Sequence, residues 1–245
     1  MKNKAFTLAE TLIVIGIIGV VAALTLPNLN HATGDKETVT RVMKTYSMLN
    51  EANDRAIATY GPISSWKSQP SCYQTTHHAL DYCYLKRIAE FMKVTKSCNF
   101  YDENYDPDCL RETGTITEGY YRMKVADGLV IASDESDWDC SDTYGKYSDV
   151  CLHDIEIDIN GSNKGKDEWG QDCFKFMVSD SVGVVPFYDW DSVESGISAC
   201  LQHKSNCSWW VIEYGNLDYL KTDSTGKCND NPSIVLDGVT NTSCH

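Results

Sequence analysis

MKNKAFTLAETLIVIGIIGVVAALTL, residues 1–26, decides how the rest of the chain is read. Lys2 and Lys4 give it a basic start, and residues 12–26 are almost unbroken apolar sequence. A helix over 6–26 would be about 31 Å long at 1.5 Å per residue, enough to cross a bilayer core. The lysines predict that the start stays in the cytoplasm and the remainder is exported. Glu10 falls inside this span. An ionisable group at such depth is costly and marks a functional position. One reading leaves its carboxylate at the level of the lipid headgroups. The other gives it a positive partner: cutting between Ala5 and Phe6 would expose an α-amino group with a pKa near ~8, protonated at neutral pH. A general secretory signal peptide cut near Ala22 and Ala23 would account for the lysines and the apolar run. It would leave Glu10 and the setting of Phe6 without a role.

The order Ala5-Phe6-Thr7-Leu8-Ala9-Glu10, followed by the apolar run and Pro27, closely resembles the leader of type IV pilins and type II secretion pseudopilins. The resemblance implies cleavage before Phe6 by a dedicated prepilin peptidase and N-methylation of Phe6. It makes Glu10 the fifth mature residue and the assembly residue. It places Pro27 at the twenty-second mature position, where the family commonly has proline. Ala5 stands where the family usually has glycine. The implied partners are the peptidase, other pilin or pseudopilin subunits met through the N-terminal helix, an assembly platform and a cytoplasmic ATPase. The implied location is a single pass in the inner membrane with an exported head, then a periplasmic or surface filament. The motif covers about a tenth of the chain.

The bulk properties agree with an exported head. The chain has 245 residues and a formal net charge of -14, which repels phosphate backbones and disfavours nucleic acid as a partner. All eleven cysteines lie beyond position 70, and no C-x2-C pair occurs. Disulfides in an oxidising compartment are therefore predicted. Cys72/Cys83, Cys98/Cys109 and Cys140/Cys151 each enclose ten residues, and Cys200/Cys207 and Cys228/Cys244 are two further local couples. Cys173, in an apolar alternating run, is expected to be a buried free thiol.

Four segments follow: a leader over 1–5, a transmembrane and assembly helix over 6–26, the exported half of the same helix over 27–61, and a disulfide-rich head over 62–245. Pro27, Asn28 and Gly34 predict a kink or melted stretch. Val39, Val42, Met43, Tyr46, Leu49, Ala56, Ile57 and Tyr60 then recur at helical steps, and Gly61-Pro62 stops them. Residues 63–114 read as an irregular, disulfide-pinned insertion with a short helix near 79–92. Strands are predicted over 120–125 and 129–132, joined by a two-residue turn at Asp127-Gly128. Alternation at Ile155, Ile157 and Ile159, then at Phe174, Phe176 and Val178, followed by 182–187, completes a meander. The fold class is α+β: a long N-terminal helix packed on an antiparallel sheet of about four strands, with disulfide-rich loops, as in pilin-like heads.

Several motifs in the head bear on chemistry. Glu156, Asp158, Asn160, Gly161 and Asp167 match the oxygen spacing of a calcium loop. Lys164 and Lys166 oppose a cation there, so a solvated turn on Asn160-Gly161 competes with that reading. The acidic run 134–139 reads as a solvated loop. His77-His78 between Cys72 and Cys83 would suit zinc only if the thiols stayed reduced. Trp209-Trp210 are either a sugar-stacking surface or core. Nucleophile elbows, zinc-protease motifs and phosphate loops are absent from the sequence, so no enzymatic role and no required cofactor are predicted. A structural subunit is thus expected, with a membrane-anchored ligand-binding head or a tethered exported enzyme as alternatives.

Overall fold

A computed structural model describes residues 8–69, 72, 79–99, 109, 121–136, 140–161, 164, 167–187 and 193–245. The chain divides into two compact units, Met1–Glu37 and Thr38–His245. The first helix, α1 (Leu8–Tyr60), contributes residues to both.

In the first unit, the described side chains of α1 up to Val20 are mostly large and apolar. Leu8, Leu12, Ile13, Val14, Ile15, Ile17, Ile18 and Val20 are 53–82% exposed. A helix hydrophobic all round normally belongs inside something. Among the described residues, no helix is long and apolar enough to cross a membrane. The side chains described in this stretch end at Val20, well short of the ~20 apolar residues a span needs. The melted stretch expected at Pro27 and Gly34 is not found, because α1 is helical through both. A proline removes one ladder donor and can bend a helix without ending it.

In the second unit α1 becomes amphipathic. Val42, Thr45, Leu49, Ala52, Asn53 and Ala56 are buried, while Arg41, Lys44, Glu51 and Arg55 are exposed. Gly61, at φ +83°, ends the helix by donating its N–H to the Ile57 carbonyl. A 3-10 turn (Ile63–Ser68) follows. Its Trp66 is fully buried, and its Ser64 donates backbone and hydroxyl bonds to Asp180 across the fold. Next comes α2 (Ala79–Ala89), whose Arg87 guanidinium lies 4.3 Å from the Tyr60 ring centroid and 4.5 Å from that of Trp66.

The described strands form one antiparallel sheet. They are β1 (Val94–Asn99), β2 (Tyr121–Val125), β3 (Val130–Ser136), β4 (Asp142–Tyr144), β5 (Tyr147–Asp158), β6 (Cys173–Ser179) and β7 (Gly183–Pro186). The order is β1-β2-β3-β5-β6-β7, with β4 paired only to β5. That is seven strands among the described residues rather than about four. Part of the expected insertion is therefore a strand. β1 reads Val-Thr-Lys-Ser-Cys-Asn, an edge strand with mostly exposed polar side chains, and carries no apolar alternation to betray it. The turn between β2 and β3 has three residues, not two. Val125 donates its N–H to the Leu129 carbonyl, Gly128 donates to the Val125 carbonyl, and Gly128 sits at φ +96°. This is a turn closed by a glycine bulge. A Cβ added at Gly161 would collide with the Gly128 carbonyl oxygen, so only glycine lets the two turns pack together.

One sheet face carries Met123, Ile131, Ile155, Ile157, Phe174 and Phe176, which share a core with α1 and α2. Each such burial stabilises by ~1.5–3 kcal/mol. The opposite face carries the cross-strand row Arg122, Ala132, Glu156, Lys175. Beyond β7 lie α3 (Val193–Gln202), α4 (Ser208–Tyr214) and a tail held by 3-10 turns.

All five expected cysteine couples are bridged: Cys72–Cys83, Cys98–Cys109, Cys140–Cys151, Cys200–Cys207 and Cys228–Cys244. Cys173 is the buried free thiol. Each loop closed in this way stabilises by ~2–4 kcal/mol, chiefly by restricting the unfolded chain.

The β6–β7 turn carries a pH-dependent tie. Asp149 accepts from the Ser179 hydroxyl at 2.7 Å and the Ser181 N–H at 2.8 Å. Burial pushes its carboxyl up, but these donors outweigh burial and hold it below the usual carboxylate range. A depressed native pKa stabilises above the unfolded value of ~3.9 and is lost as pH falls through the native value. Asp149→Ala should therefore cost about 1–2 kcal/mol in urea unfolding at neutral pH. The gap to wild type should narrow below about pH 4. A gap constant from neutral to strongly acid pH would show that the charge contributes nothing.

Candidate functional site

The residues expected to carry processing and assembly lie at the chain start. Ala5 and Phe6 lie outside the described residues, as does the side chain of Glu10, whose backbone is helical in α1. Around Glu10 in sequence, the described side chains Leu8, Leu12, Ile13 and Val14 are all strongly exposed.

The loop weighed for calcium is organised by hydrogen bonds to its own backbone. Asp158 is fully buried, and its Oδ1 accepts from the N–H groups of Asn160 at 3.0 Å and Gly161 at 2.9 Å. Asp172 does the same for the far side. Its Oδ1 accepts from Glu168 N–H at 2.7 Å, and its Oδ2 from Asp167 N–H at 3.1 Å and Asn160 Nδ2 at 3.3 Å. Glu156 instead faces Lys175, with Nζ 3.3 Å away, and the same ammonium lies 2.5 Å from Asp154. Burial pushes Lys175 down, yet Asp154 and Glu156 more than offset that and hold it charged above its usual range. Asp167 is raised, first by burial and then by the Asp172 charge. Asp158, Asn160 and Asp167 are thus drawn to one turn while Glu156 is taken by a cross-strand pair. Among the described residues no group of three or more His, Cys, Asp or Glu side chains could hold a metal ion. Asp172, which ties the loop, lies beyond the end of the calcium spacing.

Of the other motifs, His77 and His78 lie outside the described residues. So do 137–139 of the acidic run, whose first residues extend β3. Trp210 is fully buried and Trp209 nearly so, which makes this pair core rather than an open stacking surface. Trp210 donates Nε1–H to Asn216 Oδ1 at 2.9 Å and packs edge-on against Tyr214 at 4.6 Å. At the rim of this cluster lies a cleft of about 300 Å³. Tyr46 of α1, Lys146 and Tyr147 of the β4–β5 hairpin, and Trp209, Glu213 and Tyr214 of α4 line it. No two of these elements are adjacent in sequence, so no linear pattern announces it.

Comparison with known proteins returns no matching family model, no matching curated protein and no matching solved structure.

Proposed function

We propose that this chain is a prepilin-like structural subunit, a minor pilin or pseudopilin, that is cleaved, methylated and built into a type IV pilus or type II secretion-like filament. The observation that carries the proposal is the first part of α1, where eight large apolar side chains stand 53–82% exposed beside the ionisable Glu10. Such a surface is not tolerated in water, since each side chain gains ~1.5–3 kcal/mol by leaving it. A bilayer supplies that shelter before assembly, and a bundle of identical helices supplies it afterwards. The helical stripe from Val42 to Ala56 beneath an antiparallel sheet, and five bridges fit for an oxidising compartment, support an exported pilin-like head.

The mechanism follows from charge. Cleavage between Ala5 and Phe6 by the prepilin peptidase removes the leader and exposes an amine. Glu10 of an incoming subunit then pairs with the Phe6 amine of its neighbour, which selects register as well as attachment. A head-to-tail contact that does not close propagates as a helical fibre. The energy comes from a partner cytoplasmic ATPase through an assembly platform, since the sequence has no nucleotide motif.

Intact-mass analysis of the protein from cells with and without the peptidase tests this. The mature chain should begin at Phe6 and carry one added methyl, and it should keep Met1 when the peptidase is absent. A mature chain that keeps residues 1–5 in both, or begins near Ala23, would sink the proposal.

A further inference from the structure

The cleft between α4 and the β4–β5 hairpin has rigid walls. Its two walls are pinned before any ligand arrives. Lys146 and Tyr147 sit at the turn of a hairpin whose strands pair Tyr144 with Tyr147, and the Cys140–Cys151 bridge closes that hairpin. Trp209, Glu213 and Tyr214 ride on α4, which starts at Cys207 of the Cys200–Cys207 bridge and is capped by Gly215 at φ +64°. Tyr46 stands between the walls, its ring stacked on Phe176 at 5.7 Å, and Tyr214 is held by its hydroxyl donating to the Gly238 carbonyl at 2.5 Å. Elements fixed in this way lose little entropy when a ligand binds.

The lining selects the ligand's chemistry. At about 300 Å³ the cleft falls at the small end of ligand pockets. Half-buried Tyr46, Tyr147 and Tyr214 offer ring surface that is electron-rich on its faces; the Lys146 ammonium lies 5.3 Å from the Tyr147 ring centroid, and the remaining ring surface attracts the weakly positive C–H groups of an aliphatic ring. The exposed ammonium of Lys146 and carboxylate of Glu213 bring opposite charges to the same space. A wholly apolar ligand would strip water from these two and return no hydrogen bonds. A ligand carrying charge of one sign only would meet one attractive and one repulsive partner. A neutral polyol satisfies both, because each hydroxyl donates to a carboxylate and accepts from an ammonium. We propose that the Tyr46–Tyr147–Glu213 cleft binds a neutral hexopyranose, with the C–H face of the sugar on the tyrosine rings and its hydroxyls on Glu213 and Lys146.

The test uses the full chain in a detergent without a sugar headgroup, with the bridges intact. Saturation-transfer NMR is run against the methyl glycosides of glucose, galactose and mannose, and against indole as an apolar probe. At least one glycoside should show transfer to its ring C–H protons. Glu213→Ala and Lys146→Ala, both at exposed positions, should each weaken binding roughly tenfold or more with unchanged melting temperature. Asp230→Ala, an exposed carboxylate outside the cleft, should leave binding unchanged. Transfer to no glycoside, binding of indole alone, or glycoside binding equal in wild type and Glu213→Ala would each overturn the assignment.

Discussion

Glu10→Ala should leave export of the head intact and remove the protein from filaments. In the membrane, a carboxylate near the end of the apolar span has headgroups and water within reach, so its loss changes little. In the core of the proposed filament the same position would be dry. A buried charge without its partner there costs roughly 3–5 kcal/mol, which is a factor of about a hundred to a few thousand in incorporation. The alanine variant removes the carboxylate and strands the neighbouring Phe6 amine, so the penalty falls on the filament and not on the membrane form. The measurement is the fraction of the protein in sheared filaments against the fraction in membranes, with the five bridges checked by non-reducing electrophoresis. Glu10→Asp keeps the charge on a shorter arm and should fall between the two. Wild-type incorporation of Glu10→Ala would mean that apolar packing alone places the subunit, and the charge pair would have no part in register.

What could be read in advance was what is local. The five cysteine couples were legible because close spacing on hairpins and loops places the partners together whatever the rest of the chain does. Cys140 and Cys151 flank the β4–β5 hairpin, and Cys200 and Cys207 flank the turn between α3 and α4. The amphipathic part of α1 was legible for the same reason, since Val42, Leu49 and Ala56 recur at helical steps and are all fully buried. β1 was not, because an edge strand can be polar on both faces. The length of the Val125–Leu129 turn was not, because the bulge depends on Gly128 meeting Gly161 from another hairpin. Where the carboxylates of the calcium spacing point was not legible either, because side-chain identity does not fix direction. Glu156 stands directly opposite Lys175 in the sheet, and that cross-strand neighbour takes it. The cleft was invisible because Tyr46, Tyr147 and Glu213 meet only when three separate elements have packed.

Trp210→Ala should destabilise the head by ~3–5 kcal/mol, the range for emptying a large aromatic from a closed core. Trp210 is 0% exposed. Its ring touches Trp209 at 5.5 Å and Tyr214 at 4.6 Å, both edge-on. Its Nε1–H donates to Asn216 Oδ1, an oxygen that also accepts from the Asp218 N–H at 3.0 Å. Asn216 Nδ2 in turn donates to the Thr242 carbonyl at 2.9 Å, and Asp218 Oδ2 accepts from Cys244 N–H at 2.8 Å. Removing the indole therefore does two things: it opens a void under α4, and it loosens the polar tie that fixes the C-terminal tail. Trp210→Phe separates these effects. It refills most of the void and deletes only the donor, so about 1–2 kcal/mol should be lost. Urea unfolding with all bridges intact measures both, and the two losses should rank in that order. Equal losses would assign the effect to the hydrogen bond rather than the packing. A change under about 0.5 kcal/mol for Trp210→Ala would place the tryptophan at the surface, where truncation is nearly free.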